Sequence, residues 1–412
     1  MNLIFFTHYF PPEGNAPASR TYEHCARWVK KGHSVKVITC VPNVPDGVVY
    51  EGYRNRLWPQ KENVDGIEVI RVWTYVAANA GGAGRILNYV SYLISAVIAF
   101  VFFCRRPNLI VATSPQFFCG WTGAIASILK WCPFVLEIRD IWPESIIAVG
   151  ALKPGLFTKL LEYLEKRMYC IANHIVAVGN GYRDNILSKI GSETAVSVVT
   201  NGVDGEVFEP QEKDVGFLNE HTLNDRFVCS YVGTLGMAHG LEVVISAAEL
   251  LKRQGRGDIV FCLVGDGARR RSLESQVAAS GVEHWVKFTG RLDKSQMPMI
   301  LASSDCLLVH LKKTDLFTTV IPSKIFEAMA MSRPLIMGVR GDSAEIVREA
   351  QCGLDMESEN EQELLDAVVS LCDDENLYND LCVHGRDSVT KKYNRDVLAE
   401  DMLQILIREC NR

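Results

Sequence analysis

No Cys-x-x-Cys pair occurs in this 412-residue chain, although it holds 13 cysteines. That odd, scattered set, with Cys40, Cys119, Cys229, Cys262 and Cys306 in apolar company, reads as small buried hydrophobes. Neither a zinc site nor a disulfide framework is indicated, and a reducing cytoplasm is favoured. No cluster of five or six basic residues is present, which argues against nucleic acid. A Walker loop, a Ser-His-Asp order and zinc-ligand spacing are likewise missing. The opening run Met1-Asn2-Leu3-Ile4-Phe5-Phe6 is too short and too uncharged for a signal peptide and reads as a first strand.

What is present is an ordinary globular balance, 48% hydrophobic and 22% charged, in 46.0 kDa. At roughly 150 residues per domain the length accommodates two or three domains. The net charge of −6 conceals an asymmetry: residues 1–190 hold 20 Lys+Arg against 13 Asp+Glu, and the remainder hold 23 against 36. A basic half and an acidic half suggest domains that face different partners, the basic one suiting phospholipid headgroups or a polyphosphate; unequal solvation is the plainer explanation.

Short apolar runs alternate with stretches of helical period. In the first half they are 3–7, 35–39, 67–72, 109–112, 134–137, 175–178 and 196–199; the rhythm restarts at 227–232 and continues through 259–264, 286–289, 306–309 and 335–338. Apolar runs separated by helices predict parallel sheets covered on both faces, in two successive α/β units. Thr200-Asn201-Gly202-Val203-Asp204 and the acidic stretch after it read as the linker, and residues beyond about 358 read as helical only. The expected domains are 1–200, 201–392 and a final helical segment 393–412.

From Ile86 to Cys104 no charge occurs, and Arg85 and Arg105-Arg106 bound the run. Asn88, Ser91 and Ser95 would form one thin polar stripe on a helix. A buried helix of the first domain, a helix partly exposed at a membrane interface and a true span all fit the length. The strand expected at 109–112 immediately afterwards disfavours the span.

Several loops after strands carry chemistry. Thr7 to Pro17 joins the first strand to a helix expected over 18–31; small residues there either leave amides for a phosphate or form a Pro-fixed turn. Gly179-Asn180-Gly181 has two glycines of a dinucleotide fingerprint, but Asp184 occupies the third small position, so a tight turn is the better reading. Three consecutive strands of the second half run into Gly233-Thr234, Gly265-Asp266-Gly267 and Gly290-Arg291, which lines close-approach positions along the carboxyl edge where open α/β sheets bind ligands. In Ile321-Pro322-Ser323-Lys324-Ile325-Phe326-Glu327, Pro322 suits a first helical turn, with Ser323 and Lys324 at its positive end. Glu327 one turn on suits a diol, or merely complements the dipole. Arg139 and Asp140 follow a buried strand as either a structural ion pair or a catalytic pair.

Taken in order, Tyr9-Phe10-Pro11-Pro12-Glu13, Gly32-His33-Ser34-Val35, Arg139-Asp140-Ile141-Trp142-Pro143, Asn201-Gly202-Val203-Asp204, Gly265-Asp266-Gly267 and Pro322 to Ala330 resemble the family 4 glycosyltransferases of the GT-B fold. The likeness is greatest to the O-antigen and capsule branch, and within it to L-fucosaminyl (N-acetyl-L-fucosamine) transferases. The resemblance implies two Rossmann-like domains facing across a cleft, an acceptor-binding N-terminal one and a nucleotide-sugar-binding C-terminal one, with the last helix returning to the first. It implies a donor that is a UDP-sugar, a lipid-linked saccharide diphosphate as acceptor, no metal and no cofactor. It further implies a peripheral enzyme on the cytoplasmic face of a bacterial inner membrane. A sugar-nucleotide epimerase on the same fold is the alternative.

Carried over by position, the resemblance puts Glu327 on the ribose, the Gly265 and Arg291 backbone beside the base, Gly14 near the diphosphate, and Ser323 and Lys324 on the leaving group. The implied catalytic set is Lys324, Glu327, Arg139 and Asp140, and the implied binding set adds Gly14, Asn15, Arg20, Gly233, Thr234, Gly265, Arg291, Thr319 and Ser323. The family pattern is departed from in three respects: Thr319 stands where a carboxylate precedes Glu327, Thr234 and His239 stand where Arg and Lys clamp the diphosphate, and Arg139 stands where a histidine is usual. Phosphate binding then leans on Lys324, backbone amides and Arg20 or Arg139.

Overall fold

The computed structural model describes residues 1–412 except 45, 78–81, 115, 145–146, 148–154, 192–193 and 315–317. The chain forms two compact units, residues 1–200 with 398–412, and residues 201–397.

The first unit runs β1 (Asn2–Phe6), α1 (Ala16–Lys30), β2 (Ser34–Cys40), β3 (Gln60–Val64), β4 (Ile67–Val72), α2 (Gly82–Phe103), β5 (Leu109–Thr113) and α3 (Phe117–Lys130). It continues with β6 (Phe134–Ile138), α4 (Leu156–Ile171), β7 (His174–Ala177), α5 (Asn180–Ile190) and β8 (Ala195–Val198). The sheet order is β3-β4-β2-β1-β5-β6-β7-β8. All pairings are parallel except β3 with β4, a hairpin the apolar-run reading did not contain because Gln60–Val64 is polar. Strands β1, β5 and β6 are buried along nearly their whole length, as a sheet covered on both faces requires.

The two faces of that sheet are dressed differently. On one, Cys25 and Trp28 of α1 pack with Leu3, Phe5 and Val35, joined by Leu398, Met402 and Leu406 from the final helix, Arg395–Cys410. The Trp28 indole N–H donates to the Ala399 carbonyl at 2.9 Å, which pins that helix to the unit. On the other face lie α2, α3 and α4, over Ile4, Phe6, Ile38 and Ile110. Helix α2 buries Tyr92, Ala96, Ala99 and Phe100 against the sheet, and the Tyr92 hydroxyl donates to the Ile38 carbonyl at 2.9 Å. Only about a third of its apolar length is buried, so of the arrangements its length allows, the helix is sheet cover with an outward apolar side.

The second unit runs α6 (Val215–Glu220), β9 (Phe227–Val232), α7 (Glu242–Gln254), β10 (Ile259–Val264), α8 (Arg270–Ser280), β11 (Val286–Gly290), α9 (Met297–Ala302) and β12 (Cys306–His310). It continues with α10 (Lys324–Ala330), β13 (Leu335–Gly338), α11 (Asp342–Glu349), β14 (Gly353–Asp355), α12 (Glu361–Asp373) and α13 (Glu375–Ser388). Its parallel sheet has the order β11-β10-β9-β12-β13-β14. Chain order reverses at β9, with β10 on one side and β12 on the other, so the loops after β9 and β12 part and leave a crevice at the carboxyl edge.

Pro322 does not enter the helix: Ser323 is the N-cap and α10 begins at Lys324. The Pro322 carbonyl accepts from the Ile325 amide at 3.3 Å, which places the proline in the turn that delivers α10 to the crevice.

Candidate functional site

The crevice in the second unit is built by glycines. Gly233 and Gly265 end β9 and β10 with φ of +147° and +140°, conformations that side chains rarely adopt. Their amides continue the sheet ladder, Gly233 to the Val264 carbonyl and Gly265 to the Gly290 carbonyl, each at 2.9 Å. A Cβ on Gly265 would stand 1.9 Å from the Gly233 carbonyl oxygen, so only glycine permits this approach. The result is a cleft of about 750 Å³ lined by Gly233, Thr234, Gly265, Asp266, Arg291 and Lys294, among others. That volume lies in the range that holds a small-molecule ligand. Gly233, Thr234, Gly265 and Arg291 thus come together as the sequence implied. Asp266 was read only as part of the Gly265-Asp266-Gly267 loop, and Lys294 was missed, because an exposed charged residue in a loop carries no local signal of what it lines.

Lys324 reaches the same place from α10. Its ammonium lies 4.2 Å above the centre of the Tyr231 ring, and a Cβ added to Gly233 would lie 3.0 Å from it. Among the described residues it makes no hydrogen bond and no ion pair within the usual distances. Burial pushes its pKa down to about 8, against the opposing pull of the Glu327 carboxylate. Burial in turn raises Glu327, countered by a hydrogen bond from Ser323 and by the charges of Arg395, Lys324 and Lys294. A desolvated cation with no hydrogen bond or ion pair among the described residues, in a glycine-walled cleft, is placed where an anion would be favourable.

His239, at the end of a short 3₁₀ turn after β9, packs edge-on to Tyr231 with ring centres 5.6 Å apart. Its Nδ1 is buried without a hydrogen-bond partner among the described residues, and burial together with the Lys324 charge lowers its pKa. The position that departs from the family pattern therefore offers a neutral imidazole with one uncommitted nitrogen rather than a second cation. Thr234 is exposed, and its carbonyl accepts from the Tyr231 hydroxyl at 3.0 Å. Thr319 lies half-buried in the turn that leads to α10.

In the first unit the predicted residues divide. Gly14 is exposed with open space where a Cβ would be, in a loop anchored by the buried Glu13, whose Oε1 accepts from the Asn43 and Val44 amides at 2.9 and 3.1 Å. The Asn15 side chain is the N-cap of α1 and accepts from the Ala18 amide at 2.9 Å, so its oxygen serves the helix. Arg20 is a correction. Its guanidinium is buried, pairing through Nε with Glu137 at 2.9 Å and donating to the Val199 and Thr200 carbonyls at 2.9 and 2.5 Å. A phosphate ligand would have to break that pair, so Arg20 holds the fold together and is not available to a substrate.

Glu137, which the sequence reading passed over as a strand residue, is the centre of this network. The Thr113 hydroxyl donates to its Oε2 at 2.6 Å, and although burial alone would raise its pKa, Arg20, Arg139 and His24 bring it down to about 2. Arg139 is half-buried, donates to the Pro17 carbonyl at 3.4 Å, and is pushed down to about 10 by burial against the pull of Glu137. The Asp140 Oδ2 accepts from the Trp142 indole at 3.2 Å.

Comparison with known proteins now bears on this arrangement. A glycosyl transferase 4-like domain matches residues 15–202 and a glycosyl transferases group 1 domain matches residues 217–387. A Pseudomonas aeruginosa protein named as a glycosyltransferase, WbjE, is 29% identical over 226 residues, 53% of each chain, so the match spans about half of that relative's length. An Escherichia coli K12 protein named for colanic acid biosynthesis, the glycosyl transferase WcaI, is 24% identical over 80% of this chain and 81% of its own. The structure of Anabaena Alr3699/HepE in complex with UDP superposes with a TM-score of 0.70 at 16% identity, over 99% of this chain and 100% of that one. Nothing in these matches supports an epimerase. The chain belongs to the glycosyltransferases of the GT-B fold, with a glycosyl transferase 4-like first half and a group 1 second half.

Proposed function

We propose that this glycosyltransferase moves N-acetyl-L-fucosamine, or a closely similar sugar, from a UDP-linked donor to a lipid-linked saccharide diphosphate in O-antigen or capsule assembly. The observation that carries the donor side is the Lys324 ammonium at the glycine-walled crevice, which has no ion pair among the described residues. Breaking a sugar–diphosphate bond builds negative charge on the leaving oxygen, and a fixed cation with backbone amides lowers that barrier without having to reorganise. In this reading Lys324 and Ser323 meet the diphosphate, Glu327 takes the ribose hydroxyls, Thr319 contacts the donor sugar, and Gly265 and Arg291 flank the base. Arg139 and Asp140 act on the acceptor side. Solved complexes of HepE with UDP and with UDP-glucose support a UDP donor, and the names of WbjE and WcaI support a polysaccharide setting. A lipid-linked acceptor implies work on the cytoplasmic face of the inner membrane, to which the basic first half contributes.

A thermal-shift panel of nucleoside diphosphates and their sugars tests the donor. UDP should stabilise the protein by about 2.7 kcal/mol at a hundredfold excess over its Kd, and ADP and GDP much less. Stabilisation by NAD, or by no nucleotide, would sink the reading. Transfer from UDP-N-acetyl-L-fucosamine to a polyprenyl-linked acceptor then decides the sugar.

A further inference from the structure

Outward from the first unit's sheet, the layer α2–α3–α4 presents an apolar surface. Among the described residues, 15 of the 21 exposed large hydrophobics fall in 57–58, 86–102, 128–131 and 156–163, all in or beside this layer. Trp131 is 84% exposed, Phe102 76% and Trp58 71%. They gather near the carboxyl end of α2, where the Trp58 ring meets Phe103 edge-on at 5.2 Å and Arg106 donates to the Trp131 carbonyl at 2.6 Å. Soluble proteins rarely leave such a concentration uncovered.

Two further facts say what covers it. Between Glu68 and Glu137 the sequence has no carboxylate, while Arg71, Arg85, Arg105, Arg106 and Lys130 lie within that interval. Arg71 is buried and paired with Glu62, but Arg85, Arg105 and Arg106 are exposed at the ends of α2. Neither α2 nor α3 carries a carboxylate, although Glu162 is exposed on α4. An apolar surface of this cationic bias, with tryptophans at the margin, complements an anionic lipid leaflet. Helix α2 cannot leave the unit to cross the bilayer, because its inner side is sheet cover. Tyr92 donates to Ile38, Asn88 donates to the Tyr75 carbonyl at 2.8 Å, and Ser91 accepts from the Tyr75 amide at 2.8 Å.

We propose that the α2–α3–α4 face docks on anionic phospholipid in monotopic fashion. Helix α2 then lies in the interfacial plane, Trp58, Phe102 and Trp131 enter the acyl boundary, and Arg105 and Arg106 meet headgroup phosphates. The proposal deepens the reading of a lipid-linked acceptor, but its test needs neither donor nor acceptor.

The full-length protein is floated with vesicles of phosphatidylcholine alone or mixed with phosphatidylglycerol. Wild type should float with the anionic vesicles, and Arg105→Glu with Arg106→Glu should lower that binding at least about tenfold. Trp58→Ser, Phe102→Ser and Trp131→Ser combined should do the same at unchanged melting temperature, whereas Val383→Ser on the second unit should change nothing. If the triple variant melts early, wild-type tryptophan emission replaces it: a blue shift on adding vesicles and quenching by brominated lipid are expected, and their absence overturns the proposal. Flotation indifferent to both sets of substitutions overturns it, as does resistance to alkaline carbonate extraction, which would mark a span. A wild-type dimer that the triple variant dissolves while still floating would assign the face to a second copy instead. Intact flotation with no transfer to any polyprenyl acceptor would remove the acceptor reading and leave the docking surface standing.

Discussion

Replacing Lys324 by alanine separates a catalytic cation from a structural one, because the two make opposite predictions for stability. Among the described residues the ammonium has no hydrogen bond or ion pair to lose, and its position over Tyr231 at 4.2 Å is worth about 0.5–1 kcal/mol. Against that stands the cost of holding a charged lysine where its pKa falls from 10.5 to about 8. At about 1.4 kcal/mol per pH unit that cost is about 3 kcal/mol as an upper bound at pH 7, since the group is protonated there in both folded and unfolded states. A lysine with a depressed pKa destabilises fully below its folded value, and the penalty fades as pH rises from about 8 towards 10.5. Lys324→Ala should therefore melt at or above the wild-type temperature at pH 7, and the gap should narrow at alkaline pH. Transfer should move the other way. A charge-assisted contact to the leaving diphosphate is worth about 1.5–3 kcal/mol, so kcat/KM should fall about 10- to 150-fold. Differential scanning fluorimetry across pH together with initial rates on a UDP-sugar reads both. Near-wild-type turnover would remove Lys324 from the mechanism, and a marked drop in melting temperature would show that it props up the fold.

Arg20→Ala should behave as a core lesion: losing one partner of the buried pair with Glu137 costs about 3–5 kcal/mol, seen as a lower urea midpoint. Intact stability with a raised KM would return Arg20 to the substrate. Acid should unfold the protein early. His8 is held at about 3, and His24, His174, His239 and His310 are also lowered, each chiefly by burial. A histidine with a depressed folded pKa contributes stability that is complete above its unfolded value near 6.5 and is lost as pH falls below it. Each such group steepens the loss by up to about 1.4 kcal/mol per pH unit, and urea midpoints that do not drop between pH 7.5 and pH 5 would refute this.

Much of the site was legible before any coordinates because its parts sit at the ends of apolar runs. Gly233, Gly265 and Arg291 follow three strands whose burial on both faces is written in their composition, and parallel packing brings such ends to one edge. Where the reading strayed, the cause was a relation the local pattern does not carry. Pro322 looked like a first helical residue, but the cap falls on Ser323. Strand β3 was overlooked because pairing with β4 gives order to a segment with no apolar face of its own. The run 86–104 was charge-free whether interior, interfacial or spanning, and only its packing on the sheet showed which side faces outward.

By itself the amino-acid sequence determined two parallel α/β units, the boundary near Thr200 and the carboxyl-edge loops that form a crevice, because periodicity and glycine placement act within a few residues of one another. Tertiary structure alone decided which charges are spent. Arg20 meets Glu137 across 117 positions, a neighbourhood that no stretch of chain encodes, while Lys324 reaches the crevice with no ion pair among the described residues and only the longer-range pull of Glu327. Burying a cation without a partner is costly, and that cost is recovered only when an anion arrives.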